Sequence, residues 1–85
     1  MSKGKRVKAL PTPNLDQDVT LELIADAIKA KRTQLGLDSK TTAMLCGVSV
    51  VTLNKVENSS SGVRFDSVEK ILQALGIKLK IIWGS

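Results

Sequence analysis

The sequence holds no histidine and no tyrosine, one cysteine (Cys46), two prolines and two aromatic residues, Phe65 and Trp83. Without histidine the commonest general base and metal ligand is missing. A single cysteine excludes an intramolecular disulfide and a multi-cysteine zinc site, and suits a reducing compartment. There is no glycine-rich phosphate loop and no pair of carboxylates in one expected cleft, so the chain reads as a non-enzyme without metal, cofactor or small-molecule substrate. The shortage of aromatics argues against a single-strand RNA reader, which stacks bases on exposed rings. No apolar run approaches the ~20 residues of a membrane span, and the first residues lack the apolar heart of a signal peptide. The expected location is the cytoplasm. No internal repeat is visible.

What is present is an aliphatic, basic chain. Of the 85 residues 42% are hydrophobic, enough for one core, and 13 basic against 8 acidic residues leave a formal charge of +5. A chain this short buries only about 60 to 65% of its unfolded surface, so it is marginal alone and gains from a partner. The positive charge favours an anionic partner, most simply nucleic acid.

Taken in order, Met1 to Leu10 carries Lys3, Lys5, Arg6 and Lys8, followed by Pro11 and Pro13. This is either a frayed terminus, a basic arm for phosphates or a minor groove, or a short segment that adds to a sheet edge. A first helix is expected within 14–34, capped by Thr20 or, earlier, by Asn14 with Gln17. Its stripe is Leu21, Ile24, Ala27, Ile28 and Leu35; Lys29, Lys31 and Arg32 suit the negative end of its dipole, and Gly36 stops it. Asp38 or Ser39 caps a second helix running to about Cys46, whose thiol reads as buried and structural. Thr42 is an odd residue for a helix face that should be apolar, tolerable if its hydroxyl bonds back to the preceding turn.

Residues 41–58, TTAMLCGVSVVTLNKVEN, organise the whole. They read as a helix, a sharp turn at Gly47, and a second helix capped by Ser49. Ala43 must be small where the helices cross, and Val48, Leu53 and Val56 tie the second helix to the core. Two helices joined by a three- to four-residue turn place a recognition helix in the major groove. Val50 and Val51 lie beside the apolar stripe, so they should be partly exposed, where they can meet thymine methyls. Lys55, on the same outward side, can reach guanine O6 and N7 or a phosphate. Asn54 and Asn58 are further polar candidates. The loop 59–64, SSSGVR, offers Ser59, Ser60 and Arg64 to phosphates.

A fourth helix should run from Phe65 to Leu75, with an Asp66–Glu69 capping box, a stripe of Phe65, Val68, Ile71, Leu72 and Leu75, and Gly76 as its stop. After it, IKLKIIW alternates, with Ile77, Leu79, Ile81 and Trp83 on one face. That pattern predicts a half-buried strand, and an unpaired strand leaves its backbone groups unsatisfied. The economical partner is the same strand of a second copy across a two-fold axis; pairing with Lys5 to Leu10, or a fifth helix, are the alternatives.

With these residues in place, 20–83 resembles the Xre/Cro, lambda-repressor-like helix-turn-helix domains. The resemblance runs through Leu35-Gly36-Leu37, Ala43, Gly47-Val48-Ser49, Thr52-Leu53, Val56-Glu57-Asn58 and Ala74-Leu75-Gly76. The tail ILQALGIKLKIIW is similar, more narrowly, to HipB-type antitoxins: homodimers with a two-stranded sheet that repress their own operon and bind a HipA-type kinase toxin. The resemblance implies an all-α bundle of four to five helices with a C-terminal strand pairing across a dimer. The chain then divides into a basic flexible arm (1–18), the DNA-binding domain (19–76) and a dimerisation strand (77–83). It implies base-facing roles for Ser49, Val50, Val51 and Lys55. Backbone contacts fall to Ser39, Thr52, Asn54, Asn58, Ser59, Ser60 and Arg64, and the dimer contacts to Ile77, Leu79, Ile81 and Trp83. Ser39 is shorter than the glutamine often found there, and the two valines replace polar base readers. Glu57 reads as a buttress of the turn, since its charge would repel phosphate. The function implied is a dimeric repressor on a palindromic operator, probing double-stranded DNA with no membrane partner, and the antitoxin of a toxin–antitoxin pair. A solitary Xre-type regulator, a HigA-type antitoxin, or a protein-interaction module with secondary DNA binding are the alternatives.

Overall fold

The computed structural model describes residues 7–60 and 62–84. They form four helices: α1 (Leu21–Gln34), α2 (Ser39–Cys46), α3 (Val50–Glu57) and α4 (Phe65–Leu75). α1 packs on α3 and α4, and α2 on α3 and α4, so each helix gives one face to a shared centre. That centre is aliphatic: Ile24, Ile28, Ala43, Cys46, Leu53, Val56, Val68, Ile71, Leu72 and Leu75 are buried in one cluster. Leu53, Ile28 and Ile71 have no exposed surface. Thr42 is equally buried, and its Oγ1 donates to the Asp38 carbonyl at 2.8 Å, the back-bond that makes its burial tolerable.

The caps decide where helices begin. The Thr20 hydroxyl accepts from Leu23 N at 3.0 Å, so α1 starts there and not near Asn14. Asn14 instead closes a turn of its own, its Oδ1 accepting from Asp16 N while Gln17 Nε2 donates to its carbonyl. Asp38, not Ser39, caps α2, accepting from Thr41 N at 2.8 Å. That bond from the Thr41 amide holds its carboxyl below the usual range. α4 departs from expectation: Arg64 occupies the cap position without a side-chain cap bond, and the Asp66–Glu69 box does not form. Asp66 is drawn backward instead, accepting from Arg64 Nη2 at 3.2 Å. Three residues placed on apolar stripes face solvent, Leu21 at 60%, Leu35 at 54% and Phe65 at 62% exposed; all lie at or beyond a helix end, where the periodicity that buries a stripe runs out.

The helix stops share one device. After α2, Gly47 has φ 72°, its N–H donates to Met44 O, and Val48 N donates to Ala43 O. The same reversed pair recurs after α1 at Gly36–Leu37 and after α4 at Gly76–Ile77. In each case the following apolar residue, Leu37, Val48 or Ile77, packs on the core. α3 keeps the hydrogen bonds, Ser59 N to Val56 O and Ser60 N to Lys55 O, but puts a serine at φ 56° in the left-handed place and a serine after it.

The expected C-terminal strand is not formed. Residues 77–84 have no regular secondary structure, and among the described residues there is neither a strand nor a fifth helix. A ladder needs a second strand, and the described residues offer none. The alternative partner, Lys5 to Leu10, is only in part within the described residues; Leu10 itself spends both backbone groups on α1. Ile77 is half-buried, while Leu79, Ile81 and Trp83 are 43, 94 and 93% exposed. Lys3, Lys5 and Arg6 lie outside the described residues.

Ser59 makes a testable point. An L-residue in the left-handed region costs about 1 kcal/mol that glycine avoids. Ser59→Gly should raise stability by about that much in urea denaturation; no gain would mean that Ser59 repays the strain through its side chain.

Candidate nucleic-acid interface

α3 is presented by its own buried face. Leu53 and Val56 enter the core, which leaves Val51, Asn54, Lys55 and Asn58 exposed on the other side and Val50 at the margin, 38% exposed against 63% for Val51. Val51 and Lys55 are one helical turn apart, so an apolar and a cationic group share one outward strip. Ser49 begins the strip but is committed locally: its Oγ accepts from Thr52 N and donates to Thr52 Oγ1, both at 3.0 Å. Thr52 is half-buried beside it. Neither hydroxyl is idle, which reduces what they can offer a base or a phosphate.

The backbone-contact candidates divide by place. Ser39 is half-buried in the first turn of α2, next to exposed Lys40. Asn58 and Ser60 are exposed and Ser59 half-buried at the end of α3; Arg64 lies past Ser61, which is outside the described residues. Arg64 is 82% exposed, and its surface pair with Asp66 contributes little stability.

What brings α2 and α3 to one side is Arg32. Its Nε donates to Glu57 Oε2 at 2.7 Å, Nη2 to Glu57 Oε1 at 3.0 Å, and Nη1 to the Leu37 carbonyl at 2.8 Å. One guanidinium therefore joins the end of α1, the turn into α2 and the end of α3. The arginine and glutamate side chains are only 13 and 7% exposed. Glu57 is thus the structural group expected of it. Arg32 was legible in the sequence only as a dipole partner, because its true partner lies 25 positions away.

This pair also shapes the field. From Ser39 to Asn58 the only acid is Glu57, and Arg32 neutralises it inside the fold. The surface of this stretch therefore shows lysines, Lys40 and Lys55, and no exposed carboxylate. Cys46 is buried and desolvation raises its pKa, so its thiol stays neutral. Sequence reading missed Met44 and Leu45, 75 and 63% exposed on α2. No spacing signal singles them out, since the packing direction of α2 decides their exposure.

Breaking one partner of a buried pair leaves the other charge stranded. Arg32→Met should lower stability by about 3 to 5 kcal/mol in chemical denaturation, and Arg32→Met with Glu57→Leu should recover most of that. A double variant as unstable as the single one would show that geometry, not the stranded carboxylate, sets the cost.

Two comparisons bear on this surface. A helix-turn-helix family pattern matches residues 28–82, from the middle of α1 to the tail. A protein of Haemophilus influenzae, named as an uncharacterized HTH-type transcriptional regulator, is 34% identical over 59 residues, which cover 69% of this chain. The chain spans 58% of that protein's length. With the capped α3, the Gly47 turn and the matched span in hand, the chain belongs to the helix-turn-helix family.

Proposed function

We propose that this chain is a sequence-specific DNA-binding transcriptional repressor, acting in the cytoplasm as a homodimer on a palindromic operator. The observation that carries the reading is the outward face of α3. It offers Val51 and Lys55, with Val50 at its edge, within a stretch, Ser39 to Asn58, that exposes Lys40 and Lys55 and no carboxylate. Valines meet thymine methyls, Lys55 reads a guanine or holds a phosphate, and amides and hydroxyls around Asn58 to Ser60 hold the backbone. The Haemophilus relative's name as a transcriptional regulator supports the same reading.

The dimer rests on a different observation. Ile81, Ile82 and Trp83 are at least 90% exposed, and beside them a groove of about 550 Å³ is lined by Phe65, Leu72, Ile77, Leu79 and Ile81. An apolar surface of this kind marks an interaction site. The tail of a second copy supplies both the missing backbone partners and the apolar cover. Two recognition helices about 34 Å apart then match half-sites one helical turn apart. The narrower reading, an antitoxin that also binds a HipA-type kinase toxin, rests on the likeness of ILQALGIKLKIIW to HipB-type tails. A kinase-like reading frame beside this one, whose product the chain neutralises, tests it; its absence leaves a solitary regulator or a HigA-type antitoxin. Exposed Met44 and Leu45 favour a second reading, a protein-interaction module with secondary DNA binding.

Selection from a randomised duplex pool should yield a two-fold symmetric site. Lys55→Ala should weaken binding to it by about 1 to 3 kcal/mol if Lys55 reads a base, or lower the salt slope by about 1 if it holds a phosphate. Selected sites without any shared sequence, together with an indifferent Lys55→Ala, would leave the interaction module as the better account. Truncation after Gly76 should give monomers in sedimentation and cost far more operator affinity than Lys55→Ala. A truncated chain that dimerises with unchanged strength refutes pairing through the tail.

A further inference from the structure

The first turn of α3 offers a base edge almost nothing polar. A recognition helix meets bases with its N-terminal residues, which here are Val50, Val51 and Thr52 behind the Ser49 cap. The Ser49 hydroxyl accepts from Thr52 N and donates to Thr52 Oγ1, both at 3.0 Å, so the two hydroxyls close on each other. Thr52 is half-buried, whereas Val51 is 63% exposed. The group left free to meet a base in that turn is therefore a hydrocarbon. It is also a stiff one: a valine in a helix keeps one preferred rotamer, so both methyls of Val51 are held in place.

In the major groove a hydrocarbon tells bases apart by one group, the 5-methyl of a pyrimidine; the other distinguishing features there are hydrogen-bond donors and acceptors. Thymine and 5-methylcytosine carry that methyl, and uracil and cytosine lack it. The surroundings of Val51 suit the same partner. Lys55 lies one turn further along the strip, and the stretch Ser39 to Asn58 exposes no carboxylate, so the strip enters an anionic groove without repulsion. Nor does that stretch hold the acidic acceptor that reads unmethylated cytosine through its N4 amino group.

We propose that α3 reads the 5-methyl group of a pyrimidine through Val51, so that one position in each half-site favours thymine over uracil and 5-methylcytosine over cytosine by the same factor. The proposal rests on the DNA-binding reading above and goes beyond it. Wherever cytosine stands at that position, its methylation strengthens binding, and the chain becomes responsive to a chemical mark on the DNA. Val51 supplies this discrimination; Lys55 supplies affinity and does not see the methyl.

The test uses the duplex that the chain selects, with its pyrimidines altered one at a time and binding followed by fluorescence anisotropy. Replacing thymine by deoxyuridine at the responsive position should weaken binding about fourfold, the worth of one buried methyl, and about 15-fold when both half-sites are changed. With cytosine placed there, its 5-methyl form should bind about fourfold more tightly than the unmodified form. Between about 50 and 200 mM salt the affinity should fall while both ratios hold, because the contact carries no charge. Val51→Ala, which keeps the fold since the site is exposed and alanine favours a helix more than valine does, should bring both ratios to about one. Lys55→Ala should weaken every duplex and leave both ratios at about fourfold. A selected site without any methyl-sensitive pyrimidine overturns the proposal, and so do ratios that survive Val51→Ala, since the methyl then acts through the shape of the duplex. Either result leaves the DNA-binding reading standing as long as Lys55→Ala weakens the selected site. If no duplex is selected or bound, that reading fails and the methyl contact fails with it.

Discussion

The bidentate contact between Arg32 and Glu57 is the constraint on which the rest of the structure depends. Three short stretches must meet to set α2 beside α3: the end of α1, the turn at Leu37 and the end of α3. One guanidinium bonds all three within 3.0 Å. A lysine cannot replace it, because a point charge has no planar fork to hold a carboxylate and a carbonyl together. The pair has an electrostatic consequence as well. A free carboxylate at Glu57 would stand beside the proposed path of the phosphates, and neutralising it inside the fold leaves that side to lysines.

A second constraint is how each helix ends. Three of the four stops pair a left-handed glycine with an apolar residue that returns to the core, so the chain is pinned as it turns. After α3 the pair is Ser59–Ser60. The hydrogen bonds persist while the apolar anchor is gone, so the chain leaves α3 along the surface. Among the described residues, the one place where this bundle accepts backbone strain and forgoes an anchor is the place where the proposed function needs polar groups at a phosphate.

Much of this was legible in the sequence because it is local. Caps such as Thr20 and Ser49, glycine stops, the period of Ile24–Ile28 and of Val68–Ile71–Leu75, and the back-bonded Thr42 all depend on residues within about one turn of each other. The failures are of two kinds. Periodicity overran helix ends, placing Leu21, Leu35 and Phe65 on stripes that do not reach the core there. Long-range polar pairings were invisible: nothing near Arg32 points to Glu57, and nothing near Leu10 points to Thr33. At the interface the exposure of Val51 followed from the stripe itself, whereas the mutual engagement of Ser49 and Thr52 needed their geometry.

The tail differs from both kinds, because its pattern implies a structure for which the described residues supply no partner strand. Alternating residues 77–83 describe a half-buried strand, but burial requires a surface and a ladder requires a neighbour. Alone, the segment leaves Ile81, Ile82 and Trp83 at least 90% exposed, an unfavourable state for large apolar side chains. On the proposed reading this cost in the monomer is offset twice in the dimer. Pairing removes the apolar surface from water, and it also turns the binding of the second half-site into an intramolecular event at high effective concentration. The second gain matters here because two valines and a lysine offer little hydrogen-bond discrimination. On the same proposed reading, a recognition helix so poor in polar readers works well only in duplicate, so the proposed dimer would answer both the weakness of α3 as a reader and the exposure of the tail.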